Sequence, residues 1–203
     1  MKIAVIGASG NAGAEITAEL ARRGHQVTAI ARNADKIAKL PGVTAVAGDA
    51  GDAAGIAKLI AGHDAVVSSI HFLASDADEL ISAVKQAGVP RYLVVGGAGS
   101  LEVAPGVKLF DTPDFPAIYL GEAKAGGAFL DKLKAEPDLN WTFLSPAALF
   151  FHGPRTGTFR VGGDGLLVAA DGNSSISFAD YAIALADEIE TPRHPRARFT
   201  VGY

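Results

Sequence analysis

Short apolar runs alternate with amphipathic segments from the first residue of this chain. Lys2 to Ile6 is apolar and β-rich. Glu15 to Arg23 follows with a helical, alanine-rich pattern that stops at Gly24. Gln26 to Ala31 predicts a second strand, Asp35 to Leu40 a short helix ended by Pro41-Gly42, and Val43 to Ala47 a third strand. Asp52 to Ala61 reads as a helix, Ala65 to Ser69 as a fourth strand, Asp76 to Ala87 as a helix stopped by Gly88, and Arg91 to Val95 as a fifth strand. Gly96 to Pro116 has the glycine and proline content of a loop. A helix is expected from about Tyr119 to Ala135, and a sixth strand over Asn140 to Leu144. Beyond Pro146 the texture changes. Gly153 to Asn173 predicts loops with short strands such as Leu166 to Ala169, then a helix over Phe178 to Ile189 and a last strand over Arg198 to Val201.

Strands that alternate with helices predict a parallel sheet covered on both faces. The expectation is an α/β, doubly wound Rossmann fold. Residues 1–203 are expected to form one domain with a small C-terminal lobe, because the C-terminal part is too small for a core of its own.

The chemistry starts at the first strand-to-helix turn, Gly7-Ala8-Ser9-Gly10-Asn11-Ala12-Gly13. Strand, glycine turn and helix form the layout of a dinucleotide-binding unit. Gly7 suits a tight turn, Gly10 a close backbone approach to pyrophosphate, and Gly13 close packing of helix on sheet. The helix N-terminus offers unpaired N–H groups and a positive dipole end to phosphate. The spacing is G-x-x-G-x-x-G, not the G-x-G-x-x-G of most dehydrogenases.

The end of the second strand decides which dinucleotide fits. An acidic residue there binds a ribose hydroxyl. This chain has Arg32 instead, about 20 positions beyond Gly13. A guanidinium suits a 2′-phosphate, so NADP(H) is preferred over NAD(H). The alternative is a solvated arginine at a strand end. Asp49 either accepts from the adenine amino group or caps the helix near Asp52. Ser68 and Ser69 end the fourth strand at the mouth of the sheet. His71 follows, as a contact to nicotinamide or substrate or as a structural residue. Gly97, in Gly96-Gly97-Ala98-Gly99-Ser100, belongs to a loop that either lets a flat ring approach the backbone or is a plain flexible turn. Phe150-Phe151 reads either as an acceptor wall or as core, and Arg155 either as an anion contact or as a loop anchor.

Composition narrows the classes. The net charge is −4, with no basic stripe for nucleic acid. There are no cysteines, which excludes disulfides and thiolate catalysis. His25, His63, His71, His152 and His194 show no metal-ligand spacing, so no metal site is expected. The apolar start is short for a signal peptide and no apolar run would span a bilayer. A cytoplasmic monomer or homodimer is expected, without a nucleic-acid or membrane partner. No G-x-S-x-G or G-x-x-x-x-G-K-[ST] is present, which argues against hydrolase and P-loop chemistry.

Taken together, these motifs resemble those of atypical short-chain dehydrogenase/reductases, and more narrowly the bacterial NADH-flavin reductase group near the NmrA-like and biliverdin-reductase-B-like NAD(P)-binding proteins. The resemblance rests on Lys2 to Gly13, Leu93 to Leu101, Trp141 to Pro146, Arg155 to Gly157, Ile176 to Ala182 and Arg198 to Gly202. It implies a bound nicotinamide nucleotide and a small-molecule acceptor, a flavin or quinone, with FMN or FAD as substrate. It also permits a different class, a non-catalytic NADP(H)-sensing regulator. The chain departs from the typical Tyr-x-x-x-Lys pair. Lys124 is present, but Leu120 stands four residues before it, and Tyr119, one place off, is expected to turn about 100° away. No catalytic residue is assigned on this basis; His71, Lys124 and Ser100 are the candidates.

Overall fold

Strands that carry apolar residues on both sides must be covered twice. The computed structural model, which describes residues 1–203, shows how this chain does it. The order begins β1 (Lys2–Ile6), α1 (Asn11–Arg22), β2 (Gln26–Ala31), β3 (Val43–Ala47), α2 (Ala53–Ile60), β4 (Ala65–Ser68), α3 (Ala77–Ala87) and β5 (Tyr92–Val95). It continues with β6 (Glu102–Ala104), β7 (Val107–Lys108), α4 (Ala117–Lys134), β8 (Trp141–Pro146) and β9 (Leu149–Phe151). The last elements are β10 (Arg160–Gly162), β11 (Ser175–Ser177), α5 (Phe178–Glu190) and β12 (Ala197–Gly202).

The main sheet has 8 strands in the order β10-β12-β8-β5-β4-β1-β2-β3. Every pair is parallel except β10 with β12. The chain winds outward from β1 through β2 to β3, then returns to β4 on the other side of β1. This Rossmann topology places the switch point between β1 and β4, where ligands lie beyond the strand C-termini. Alternation along each strand sends successive residues to opposite cores. Ile3 and Val5 join Ile16, Leu20, Tyr181 and Leu185 beneath α1 and α5. Ala4 and Ile6 join Ile56, Leu80, Tyr92 and Phe129 beneath α2, α3 and α4.

The helix ends follow local chemistry. Asp52 accepts from Gly55 N–H at 2.9 Å, and Gly88 closes α3 in the left-handed region at φ 64°. Three expectations change. Asp35 to Leu40 is not a helix but one 3-10 turn, Ala34–Lys36, started by Asn33 Oδ1 on Asp35 N–H at 3.0 Å. Only Ile37 of that stretch is buried, too little apolar surface to hold a longer helix. The loop after β5 contains the β6–β7 hairpin, turned at Gly106 with φ 73°. Leu166 to Ala169 is not a strand; Leu167 packs on Gly162 and Gly202, and the strand of that region is β10.

The C-terminal part supplies α5 and β12 to the main layers, and its small lobe is the parallel pair β9–β11 with the loops around β10. No helix is long and apolar enough to cross a membrane.

Candidate functional site

The turn after β1 is made of backbone held at close quarters. Gly7 has φ 86°, and a Cβ there would stand 2.1 Å from Ser69 O. A Cβ at Gly13 would stand 2.1 Å from Gly7 O. Neither position admits a side chain, so the start of α1 lies directly on the turn. Gly10 differs: its nearest contact would be 3.4 Å, so crowding within the chain does not require glycine there. α1 has neither a side-chain cap nor an acid in its first turn. Its first N–H to find a carbonyl is that of Ala14, on Gly10 O at 2.8 Å. The N–H groups of Asn11, Ala12 and Gly13 are left open at the positive end of the helix.

A groove of about 190 Å³ runs from this turn along Ser9, Arg32 and Asp49 to Ser69. Arg32 is exposed beside it. Asp49 accepts from Gly51 N–H at 3.0 Å, whereas Asp52 caps α2, so the helix-cap alternative for Asp49 does not hold. Ser68 departs from its expected place. It is buried, with its hydroxyl 2.9 Å from that of Tyr92. β4 alternation turns it the same way as Val66, into the core, and burial pushes the Tyr92 phenol well above its usual range. Ser69, past the strand end, borders the groove.

The groove continues across Ile70 and Gly96 through a middle compartment of about 310 Å³. Gly96 lies so close to the sheet that a Cβ would be 2.4 Å from the Phe143 ring. His71 borders this compartment, with its side chain 88% exposed and Nδ1 3.3 Å from Glu122 Oε1. Glu122 is a residue the sequence did not single out. It accepts from Phe72 N–H at 2.7 Å and Leu73 N–H at 3.0 Å, clamping that turn onto α4. The Phe72 ring fits where α4 carries Gly126, whose Cβ would be 2.8 Å from it. No local pattern signals a contact across such a sequence separation.

Beyond lies a larger cavity of about 500 Å³, between the Gly96 to Ser100 loop, the start of α4 and the Pro146 to Phe150 segment. Gly97, Phe72, Phe115, Tyr119 and Phe150 line it, and its acids are Asp114 and Glu122. Phe150 borders the cavity while packing on Phe178 at 4.2 Å and Tyr181 at 4.8 Å, so this residue is both wall and core. Phe151 packs instead over Gly153.

Ser100 borders this cavity, but its side chain is buried and its Oγ accepts from Arg198 Nη1 at 2.9 Å. Lys124 is exposed and borders none of these three compartments. Tyr119, expected to turn away, borders the cavity at the first turn of α4. Lys124 lies five positions further along the helix, which sets the two side chains about 140° apart around it.

Two buried carboxylates, on α1 and α5, brace the Arg155 to Gly157 segment. Asp180 accepts from the N–H groups of Thr156 and Gly157, both at 2.8 Å, and from the hydroxyls of Thr156 and Tyr203. Burial pushes its carboxyl up, but these bonds outweigh burial and hold it below the usual range. Glu19, with its side chain 4% exposed, takes Arg22, Arg23 and Arg155. Arg155 is therefore a loop anchor. Burial raises the Glu19 carboxyl, but the hydrogen bonds from Arg22, Arg155 and Arg23 bring it down to about 2.

The chain is similar along nearly its whole length to known proteins. It is 46% identical to YwnB of Bacillus subtilis, over 99% of this chain and 98% of that one. A crystal structure of a "putative epimerase" from Bacteroides thetaiotaomicron superposes with a TM-score of 0.94 at 40% identity, covering 100% of this chain and 96% of the other. One of a "putative NADH-flavin reductase" from Streptococcus pneumoniae does so with a TM-score of 0.86 at 38% identity, covering 100% and 99%. Residues 7–192 match the family model described as NAD(P)H-binding. With the open helix terminus, the glycine turn and the switch-point groove, this match makes the chain a member of the NAD(P)H-binding family.

Proposed function

We propose that the protein is an NADPH-dependent reductase that passes hydride to a flat, conjugated acceptor, a flavin or a quinone. The observation that carries this reading is the continuity of the groove. Its compartments share Ser69, Ile70 and His71 at one joint and Phe72, Gly96, Glu122 and Phe150 at the other. The nucleotide end is polar backbone and the far end aromatic.

In this reading the open N–H groups of Asn11 to Gly13 hold the pyrophosphate, the room above Gly10 lets it approach, and Gly7 and Ser9 shape the turn. Arg32, which forms no ion pair within the chain, takes the 2′-phosphate and sets the preference for NADP(H). Asp49 and Ser69 border the nucleoside. The bound nicotinamide nucleotide supplies the hydride. The chain's own contribution is orientation: Gly97 and its neighbours form one wall, Phe72 and Phe150 the others, and together they exclude water from the ring faces. A quinone or flavin accepts hydride into a delocalised anion that solvent can protonate, so no Tyr–Lys relay is required. The name of the pneumococcal relative is in keeping with this chemistry.

The test is a steady-state assay of purified protein with NADPH against flavins and menadione, and of secondary alcohols with NADP⁺. Reduction of the conjugated acceptors with negligible alcohol oxidation is expected. Faster alcohol turnover overturns the reading. Tight NADPH binding without reduction of any acceptor replaces it with a cofactor-sensing role.

A further inference from the structure

We propose that the acceptor cavity selects uncharged acceptors and disfavours those bearing a phosphate, so that flavin nucleotides are poor substrates beside riboflavin or a quinone. This inference rests on the reductase reading and sharpens its substrate class. It comes from where charge stands around the cavity of about 500 Å³. Asp114 and Glu122 border it, and no lysine or arginine does.

The surrounding cations are each engaged or turned elsewhere. Arg198, with its side chain 5% exposed, is tied to Asp164 and to the carbonyl and hydroxyl of Ser100. Lys108 lies over the Phe110 ring, 5.5 Å from its centroid. Lys124 is exposed away from the three compartments. The rim offers no cation either. Tyr119 is 62% exposed, Ile118 84% and Leu73 71%. Leu73 reaches toward Gly121, one helical turn after Ile118.

A flat ring seated against Gly97 and Phe150 must leave its substituent at this mouth. A phosphate ester carries a charge near −2 at neutral pH. It would meet Asp114, which makes no hydrogen bond or ion pair and stands exposed beside the cavity. It would find no guanidinium or ammonium to replace its lost water. A riboflavin or quinone substituent brings no such charge. Repulsion between a dianion and a carboxylate some 7 Å away, in mostly aqueous surroundings, changes binding by about tenfold.

Riboflavin and FMN share one ring system and differ by the phosphate, which makes them the discriminating pair. The kcat/KM with saturating NADPH is expected to favour riboflavin by about tenfold at low salt. The gap is expected to narrow as ionic strength rises, because screening acts on charge and not on size. Asp114→Asn should reduce the riboflavin-to-FMN ratio and Asp114→Lys should invert it, with circular dichroism confirming that both variants fold. Equal or better efficiency with FMN overturns the proposal, as does a gap that salt leaves unchanged. If no acceptor is turned over, the reductase reading itself fails. The charge rule is then read from quenching of flavin fluorescence by the NADP⁺-loaded protein. Tighter riboflavin than FMN binding upholds it there, and equal or undetectable binding of the two overturns it.

Discussion

The two ends of the groove are built by different means. At the nucleotide end, backbone does the work: Gly7, Gly13 and the open N–H groups of α1 come from one short stretch of chain. At the acceptor end, side chains from distant segments meet. Glu122 of α4 holds the Phe72 turn, Phe150 leans on α5, and Arg198 of β12 pins Ser100. A backbone site tolerates side-chain change but not an added Cβ. A side-chain site is retuned by single substitutions and depends on the struts that hold its walls. A common cofactor end beside a variable acceptor end is what this contrast leads one to expect within a family.

The sharpest way to break the contrast is Gly13→Ala. The added Cβ would lie 2.1 Å from Gly7 O, and rigid backbone cannot yield cheaply. NADPH affinity should fall by about 100-fold or more, and stability by about 1–3 kcal/mol. Isothermal titration and thermal melting measure both. Gly10→Ala, whose Cβ meets nothing nearer than 3.4 Å, is the control: stability should hold while cofactor affinity falls. Arg32→Ala tests the one charged side chain bordering the nucleotide end whose loss should matter most. NADPH should bind about 10- to 100-fold more weakly and NADH about as before, corresponding to about 1.5–3 kcal/mol for a charge-assisted phosphate contact. Equal affinities for the two nucleotides in the unmodified protein would refute the assignment.

Away from the groove, a buried carboxylate of α1 responds to acid. Glu19 has its folded carboxyl lowered to about 2 from an ordinary 4.5, so the unfolded chain binds the proton more readily. Its contribution is fully present above pH 4.5 and is lost as pH falls toward 2. Because Arg22 and Arg155 are partly exposed, the loss should be about 2 kcal/mol rather than the full value of the shift. Glu19→Gln should flatten the fall in denaturant midpoint over that range. The smallest effect is expected from Tyr119→Phe. If solvent protonates the reduced acceptor, quinone reduction should change by less than about twofold; abolished turnover would place a proton relay at Tyr119.

The difference between the two ends also explains how far the sequence could be read. The 3.6 and 2.0 periodicities located β1 to β5, α2 and α3 to within a residue or two, because each element is set by its own apolar stripe, while α1 begins four residues before its expected start, inside the glycine turn. The Asp35 to Leu40 helix failed because only Ile37 found a core to join. Ser68 and Ser69 look alike in sequence, yet strand alternation buries one against Tyr92 and leaves the other on the groove. Tyr119 was expected to face away because it stands one place off the Tyr-x-x-x-Lys position, yet the docking of α4 against the loops after β5 and β8 brings it to the cavity.

By itself, the sequence determined what neighbouring residues can settle. Alternating apolar runs imposed the parallel layers, glycine at positions 7 and 13 imposed the turn, and Arg32 stood where the second strand ends. The tertiary structure alone decided which side chains share the acceptor cavity. Glu122 meets the backbone of Phe72, Arg198 meets Ser100, and Asp114 comes beside a ring of aromatics only once α4 and β12 have docked on the sheet. The physical reason is range. Backbone conformation and burial periodicity act over a few residues, whereas these contacts close loops of many residues and are fixed by packing of the whole core.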